Sequence, residues 1–455
     1  NYAYKNRYLL EVVSRYDGSV YFPKNNRWGF FPAVSAGWVM SEEQFFAGLK
    51  EKVDFLKLRG SYGKTGNDRG FGNYQYMQTF SLSEKPVVVI GDKSVSGIYS
   101  GAIPNVNLKW ENAYTTNVGA DVSFLNGAWS VTADYFYKVT KDILDVQGNL
   151  FAPSMGGYYA QVVNRGMTNV RGLDLQITHR HKVNNKLDYG ITGNFNWSRN
   201  KILVKNDPDG WPAWQRSPGR MIGEKKGFIS EGLFQNWDEV NNWATSPSGG
   251  AAPGFIKYKD INGDGKITTD DITYMGRSNT PQIMYGLNLE LRYGIFDVSA
   301  LIQGAALVDV ALAGTYEGSS GTSDVNDNTP FSRPFYGAGN SPYYLVEQAW
   351  TPDNPNAAFP RLTADRAGFP NHNGWANSQW VKNGAYVRLK SAQIGVTVPA
   401  SVLKQLNIEK CRFYLAGFNL LTLDHLKYMD PEMPNVNNGF YPQQQMMSFG
   451  ANLTF

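Results

Sequence analysis

A single cysteine, Cys411, stands in 455 residues. That excludes an internal disulfide framework and fits an envelope protein that avoids thiols. No run of apolar residues approaches the ~18 that a transmembrane helix needs, so a helical membrane protein is excluded. Charge is scarce as well, at 18% of residues against about 25% in ordinary soluble domains. A formal net charge of +4 over this length argues against a nucleic-acid partner. Only four histidines are present. No Ser/His/Asp or Cys/His set, phosphate-cradling glycine loop or close carboxylate pair on a rigid frame emerges, so neither enzymatic activity nor an organic cofactor is expected. The chain opens at Asn1 without a basic or apolar leader. The expectation is that a signal and more have been removed, or that the chain is part of a longer polypeptide.

Aromatics are plentiful at 14%, and there are 47 glycines, a composition that suits a large antiparallel β protein and aromatic girdles at two membrane interfaces. The last ten residues alternate with period two. Met447, Phe449, Ala451, Leu453 and Phe455 share one face, and Ser448, Gly450, Asn452 and Thr454 the other. The same grammar runs back through the chain. Strands are expected at 6–16, 28–39 and 53–63, with a short helix-like turn capped by Ser41 and Gln44 between the second and third. Residues 64–108 read as a long loop with some strand. Val118, Ala120, Val122 and Phe124 then turn at Asn126-Gly127 into Trp129, Val131, Ala133, Tyr135 and Tyr137. Further hairpins turn at Asn184-Asn185-Lys186, at Gly294 and near Leu406-Asn407. Long connections at about 140–170, 200–282, 309–382 and 424–445 alternate with these tight turns, as in an outer-membrane barrel. A compact soluble β sandwich seldom carries loops beyond about 12–15 residues. The expected fold class is therefore all-β, a transmembrane antiparallel β-barrel of about 12 strands with its terminus on the short-turn side.

Motifs in order through nearly the whole chain give this reading a name. They begin with Arg15-Tyr16-Asp17-Gly18, Asn26 to Pro32 and Leu58-Arg59-Gly60 to Asn67. Trp110-Glu111, Asp134-Tyr135-Phe136-Tyr137-Lys138, Asn164-Arg165-Gly166, Gly232-Leu233-Phe234-Gln235 and Lys257-Tyr258-Lys259-Asp260 follow. Trp350-Thr351-Pro352, Tyr386-Val387-Arg388-Leu389-Lys390 and Asp430-Pro431-Glu432 complete the series. The set resembles the SusC/RagA-type TonB-dependent outer-membrane transporters. The resemblance implies about 12–14 C-terminal strands of a 22-stranded barrel, without the plug domain and the first strands. Residues 1–455 would be that barrel portion, with 200–282 and 309–382 as long extracellular loops. It also implies a SusD-like surface lipoprotein, energisation by TonB-ExbB-ExbD through the missing N-terminal part, and import of an oligosaccharide or, in some members, a peptide. The location would be the outer membrane of a Gram-negative, Bacteroidetes-type bacterium. A passive porin or surface adhesin, and a soluble carbohydrate-binding β protein or glycosidase, are the competing readings.

The sharpest local signal is the segment 260–271. Asp260, Asn262, Asp264, the Lys266 carbonyl, Thr268 and Asp271 fall at the 1, 3, 5, 7, 9 and 12 spacing of a calcium loop, with Gly265 at the sharp turn. A structural Ca2+ is expected there; a turn-rich connection with solvated acids has the same composition. Trp211, Trp214, Trp237, Tyr336, Trp375 and Trp380 crowd the long loops beside polar residues. They are candidate sugar-binding rings, although the same rings would serve as loop cores or partner contacts. His179 and His181 share parity with the apolar face and read as an interfacial belt rather than a metal pair. Asp134, Glu290 and Arg292 fall on the lumenal face by alternation. Phe449, Leu453 and Phe455 read as a barrel-assembly signal, and the last strand needs a partner strand that the family places upstream of Asn1.

Overall fold

The computed structural model describes residues 1–70, 72, 74–101, 103–147, 161–245, 250–311, 343–362, 376–403, 408–426, 430–432 and 443–455. Thirteen strands follow one another in sequence order in one sheet. They are Tyr2–Tyr4, Tyr8–Gly18, Trp28–Val39, Val53–Asn67, Glu111–Phe124, Trp129–Gln147, Gln161–Lys182, Leu187–Val204, Ile283–Tyr293, Phe296–Ala306, Tyr386–Thr397, Lys410–Asp424 and Met446–Thr454. No helix among the described residues is long and apolar enough to cross a membrane. By contacts the chain falls into two compact units. One comprises Asn1–Arg180, Asn194–Gly210 and Ser217–Arg220, and the other comprises His181–Gly193, Trp211–Arg216 and Met221–Phe455.

In the first unit the register puts apolar against apolar across six strands. Leu10 faces Ala36, Val34 faces Tyr62, Leu58 faces Ala120, Val118 faces Tyr135 and Tyr135 faces Leu173. The other face reads Glu11, Ser35, Ser61 and Asn117 in adjacent strands. The apolar face is not covered by protein: Val118 is 59% exposed and Val12 65%. A wall that shows its valines outward and its polar residues inward is arranged for hydrocarbon outside and water inside. The second unit repeats this. Tyr285, Leu287, Leu289, Leu291 and Tyr293 face Gly304, Ile302, Ala300, Val298 and Phe296, while Arg292 faces Asp297 on the opposite side.

Tight turns fall where sequence chemistry demands them. Asn126 and Gly127 both have positive φ, and the Ala128 N–H donates to the Leu125 carbonyl at 3.2 Å. Both Asp54 oxygens accept backbone N–H groups of that turn, from Asn126 at 3.2 Å and Gly127 at 2.7 Å. Gly294, also at positive φ, joins Tyr293 to Phe296. Two expectations are corrected. The first long strand starts at Tyr8, because Lys5 and Asn6 take left-handed conformations and make a turn after Tyr2–Tyr4. Ser41 caps nothing: it sits inside the 3-10 turn Met40–Glu42, with its buried hydroxyl unpartnered, and Glu43 occupies the cap position of Gln44–Leu49. Within 64–108 a separate hairpin pairs Phe80–Ile90 with Lys93–Ser100.

Two buried cores are formed, the larger one from the long connections. Phe22, Leu108, Leu144 and Val162 cluster in the first unit. In the second, Phe228, Leu233, Ile256, Tyr258, Ile267, Trp350, Phe359 and Trp380 form one core. Small two-stranded sheets frame the latter: Lys225–Gly227 with Thr273–Gly276, Ser230–Leu233 with Ile256–Tyr258, and Asp309–Ala311 with Val381–Asn383.

Candidate functional site

The acidic segment 260–271 is a loop held by its own carboxylates. Asp260 accepts the N–H groups of Gly263 at 2.7 Å and Gly265 at 2.8 Å, both glycines at positive φ. The Asn262 Oδ1 accepts from Asp264 N and the Asp264 Oδ1 from Lys266 N. Asp271 is fully buried; its Oδ1 accepts from Ile261 N and Asn262 N, and its Oδ2 from Thr268 N. The Thr268 hydroxyl oxygen accepts from Asp270 N, completing a capping box on Thr269–Asp271. The Trp214 indole N–H donates to the Asp270 carbonyl at 2.9 Å, and the Gln215 amide donates to the Thr269 and Asp270 carbonyls. Among the described residues no three His, Cys, Asp or Glu side chains are grouped so as to hold an ion. The alternating donors at 260, 262, 264, 266 and 268 remain on one small loop, while Asp271 serves as its brace.

The candidate aromatic residues separate by burial. Trp380 is 1% exposed and stacks with Phe359 at 6.5 Å inside the loop core. It therefore cannot present a face to a ligand, and its assignment as a binding residue is corrected to a core residue. Trp211 is half-buried, with the Lys226 ammonium 4.3 Å from its ring centre, and Trp214 is half-buried against the acidic loop. Trp237, on the one-turn helix Trp237–Asn241, is 59% exposed. Tyr336 and Trp375 lie outside the described residues. His179 stacks on Trp129 at 4.1 Å and His181 meets Tyr189 edge-on.

The motifs scattered along the sequence find one another in space. On the polar face of the first unit Arg59 grips Asp134 with both terminal nitrogens, at 2.5 and 2.6 Å, and donates from Nε to Asp121 at 3.1 Å. Glu111 accepts from Asn67 Nδ2 and from Leu144 N, while its neighbour Trp110 packs on Phe31 and Phe22 and donates to the Arg27 carbonyl. Asn164 bridges Lys109 and the Asp142 carbonyl. In the second unit the Trp350 indole donates to the Gln235 side chain at 3.1 Å, and Asn377 donates to the buried Tyr258 hydroxyl.

A dense polar cluster surrounds Arg388, which is 1% exposed. Its guanidinium reaches Asp430 at 2.7 Å, Glu432 at 2.9 Å, Gln443 at 2.6 Å and the Thr422 hydroxyl at 2.9 Å. Tyr386, Lys390 and Gln303 also donate to Glu432. Burial pushes the Glu432 carboxyl upward, but hydrogen bonds from Tyr386 and Gln443 and the charge of Arg388 outweigh it, leaving Glu432 below its ordinary value. Sequence alone marked Arg388 and Glu432 as motif residues; their partnership, 44 positions apart, was not marked. At the C-terminal strand, Phe449 faces Leu415 and stacks on Phe413 at 6.2 Å, while Leu453 and Phe455 are exposed.

Residues 1–221 match the family described as "TonB dependent receptor-like, beta-barrel". A TonB-dependent receptor of Formosa agariphila is 30% identical over 100% of this chain and 45% of its own length. The TonB-dependent receptor SusC of Bacteroides thetaiotaomicron is 25% identical, over 100% of this chain and 43% of its own. The chain thus spans less than half the length of these relatives. Among solved structures, the RagAB peptide importer in its "open-open" state superposes with a TM-score of 0.71 at 20% identity, over 100% of this chain and 46% of that one. That likeness establishes the fold.

Proposed function

Because the chain belongs to the TonB-dependent receptor-like β-barrels of the SusC/RagA type, we propose that it forms part of the barrel wall and the extracellular loops of an outer-membrane nutrient importer. The family is not an enzymatic one. The observation that carries the proposal is the wall itself, with one apolar face left uncovered and one polar face, together with a core built from the long connections. In this reading 200–282 and 309–382 face the cell exterior, and the imported nutrient is an oligosaccharide. A SusD-like lipoprotein closes the mouth from outside. TonB-ExbB-ExbD drives uptake through the remainder of the receptor, which supplies the plug and the other barrel strands. Phe449, Leu453 and Phe455 act as the assembly signal, and a structural Ca2+ sits on the carboxylate and carbonyl oxygens of 260–268.

Uptake of a labelled oligosaccharide by cells expressing the full receptor tests the importer reading. Transport is expected to vanish when TonB is deleted; undiminished uptake without TonB would establish a passive pore instead. A peptide substrate is the second reading, favoured by the fold shared with a peptide importer. Competition by peptides rather than sugars would select it. For the cation, the full receptor is expected to bind calcium with chelator-sensitive protection of 260–271 from proteolysis, and protection indifferent to chelator overturns the site.

A further inference from the structure

We infer that the cleft beside Trp237 is a subsite for a neutral saccharide, in which one sugar ring stacks on the Trp237 indole. The inference rests on the oligosaccharide reading above and assigns it a place. The cleft measures about 370 Å3 and is lined by Phe234, Trp237, Val240, Asn241, Trp243 and Tyr258 among others. That is within the roughly 300–1,000 Å3 range of small-ligand sites.

Its floor is fixed. Phe234, Tyr258 and Ile267 are buried, and the Trp243 indole donates to the Tyr258 carbonyl at 2.7 Å. One face of Trp243 carries the Lys257 ammonium, 4.8 Å from the ring centre. Trp237 is held differently. It opens the helix Trp237–Asn241, whose cap Asn236 accepts from Glu239 N at 2.8 Å, and Glu239 in turn accepts from Gln235 N. The backbone under the indole is thus tied down while the ring stays 59% exposed. Unlike the exposed rings of the wall, this one lies on a short helix of the 200–282 connection, which the proposed reading puts in water. A rigidly mounted, solvent-facing indole is a platform for a partner with one apolar face and polar edges.

Charge narrows the partner. Among the described residues no Asp, Glu, Lys, Arg or His lines the cleft, and the Lys257 ammonium over Trp243 is paired with Glu239 at 3.7 Å. Such a lining offers nothing to the termini or charged side chains of a peptide, or to an acidic sugar. Asn241 and Thr245 at the rim supply amide and hydroxyl groups for sugar hydroxyls. A pyranose offers C–H groups to the ring and hydroxyls to that rim.

The full receptor, purified in detergent, is to be probed on an array of neutral, acidic and peptide ligands, alongside Trp237→Ala and Trp237→Phe. Because Trp237 is largely exposed, both variants are expected to melt with the parent. Neutral-oligosaccharide binding should fall roughly tenfold in Trp237→Ala, as loss of an aromatic face implies, and largely return in Trp237→Phe. Parent-like binding by Trp237→Ala overturns the subsite, and Trp237-dependent binding of peptides or acidic sugars overturns the saccharide class. If the parent binds no neutral glycan the subsite also falls, and oligosaccharide uptake by intact cells separates the two failures. Persisting uptake removes the subsite alone, whereas absent uptake removes the oligosaccharide reading with it.

Discussion

Gly119 shows how little room the wall leaves around its charges. A Cβ there would stand 2.5 Å from an Asp134 oxygen and 2.9 Å from the Arg59 guanidinium carbon. Any side chain must therefore push apart the pair that the strands were registered to make. Gly60, the residue next to Arg59, has only a carbonyl oxygen at 3.9 Å in its way. Gly119→Ala is expected to destabilise the full receptor by about 1–3 kcal/mol in urea unfolding from lipid, while Gly60→Ala stays within roughly 0.5 kcal/mol. Equal effects would show that the Arg59–Asp134 pair contributes nothing. Asp271 is the corresponding residue in the loops. Each of its oxygens accepts backbone hydrogen bonds in a site closed to water, so Asp271→Ala strands buried donors at a cost of about 1–3 kcal/mol each. Faster proteolysis within 260–271 is the expected readout.

Among elements, the link between Arg388 and the 430–432 segment has a pH signature. Glu432 titrates below the ordinary 4.5 because its hydrogen bonds and Arg388 favour the ionised form. A depressed carboxylate contributes stability that is complete above the unfolded value and is lost as pH falls through the folded one. Amide protection of Asp430 and Glu432 should thus persist from neutral pH down to the ordinary carboxylate value of 4.5 and be lost only below it. Loss of protection near pH 6 would implicate another group. Legibility from sequence divides along the same line between local and distant. The alternation from Val118 to Phe124, and the Asn126-Gly127 turn after it, are local properties and were readable in advance. Strands of three or four residues such as Lys225–Gly227 and Thr273–Gly276 are too short for periodicity to reveal. Burial of Trp380 comes from Phe359 and other core residues distant in sequence, so its aromatic character was visible and its inaccessibility was not.

For the molecule as a whole, the outward valines and inward polar residues define which substitutions matter. Val118→Arg puts a charge on the apolar face and is expected to cost about 2–4 kcal/mol if it lies near the bilayer midplane. Its neighbour Asn117→Arg, on the opposite face, should be nearly neutral. Unfolding from lipid vesicles compares them, and matching losses would contradict the assigned faces. Fold class was legible because long strands alternate apolar and polar residues, as Val118 to Phe124 and Tyr285 to Tyr293 do. The division into two compact units was not, since contacts between remote segments create it.

The core of Phe228, Ile256, Tyr258, Trp350 and Trp380 has a consequence for how such a chain is made. Its members come from stretches on either side of the hairpin Ile283–Ala306, so the core cannot close until both have been delivered to the same side of the membrane. Until then, greasy side chains destined for a water-facing interior travel alongside those destined for lipid. Biogenesis must keep the two populations apart, and the order in which segments cross the bilayer becomes part of the folding code.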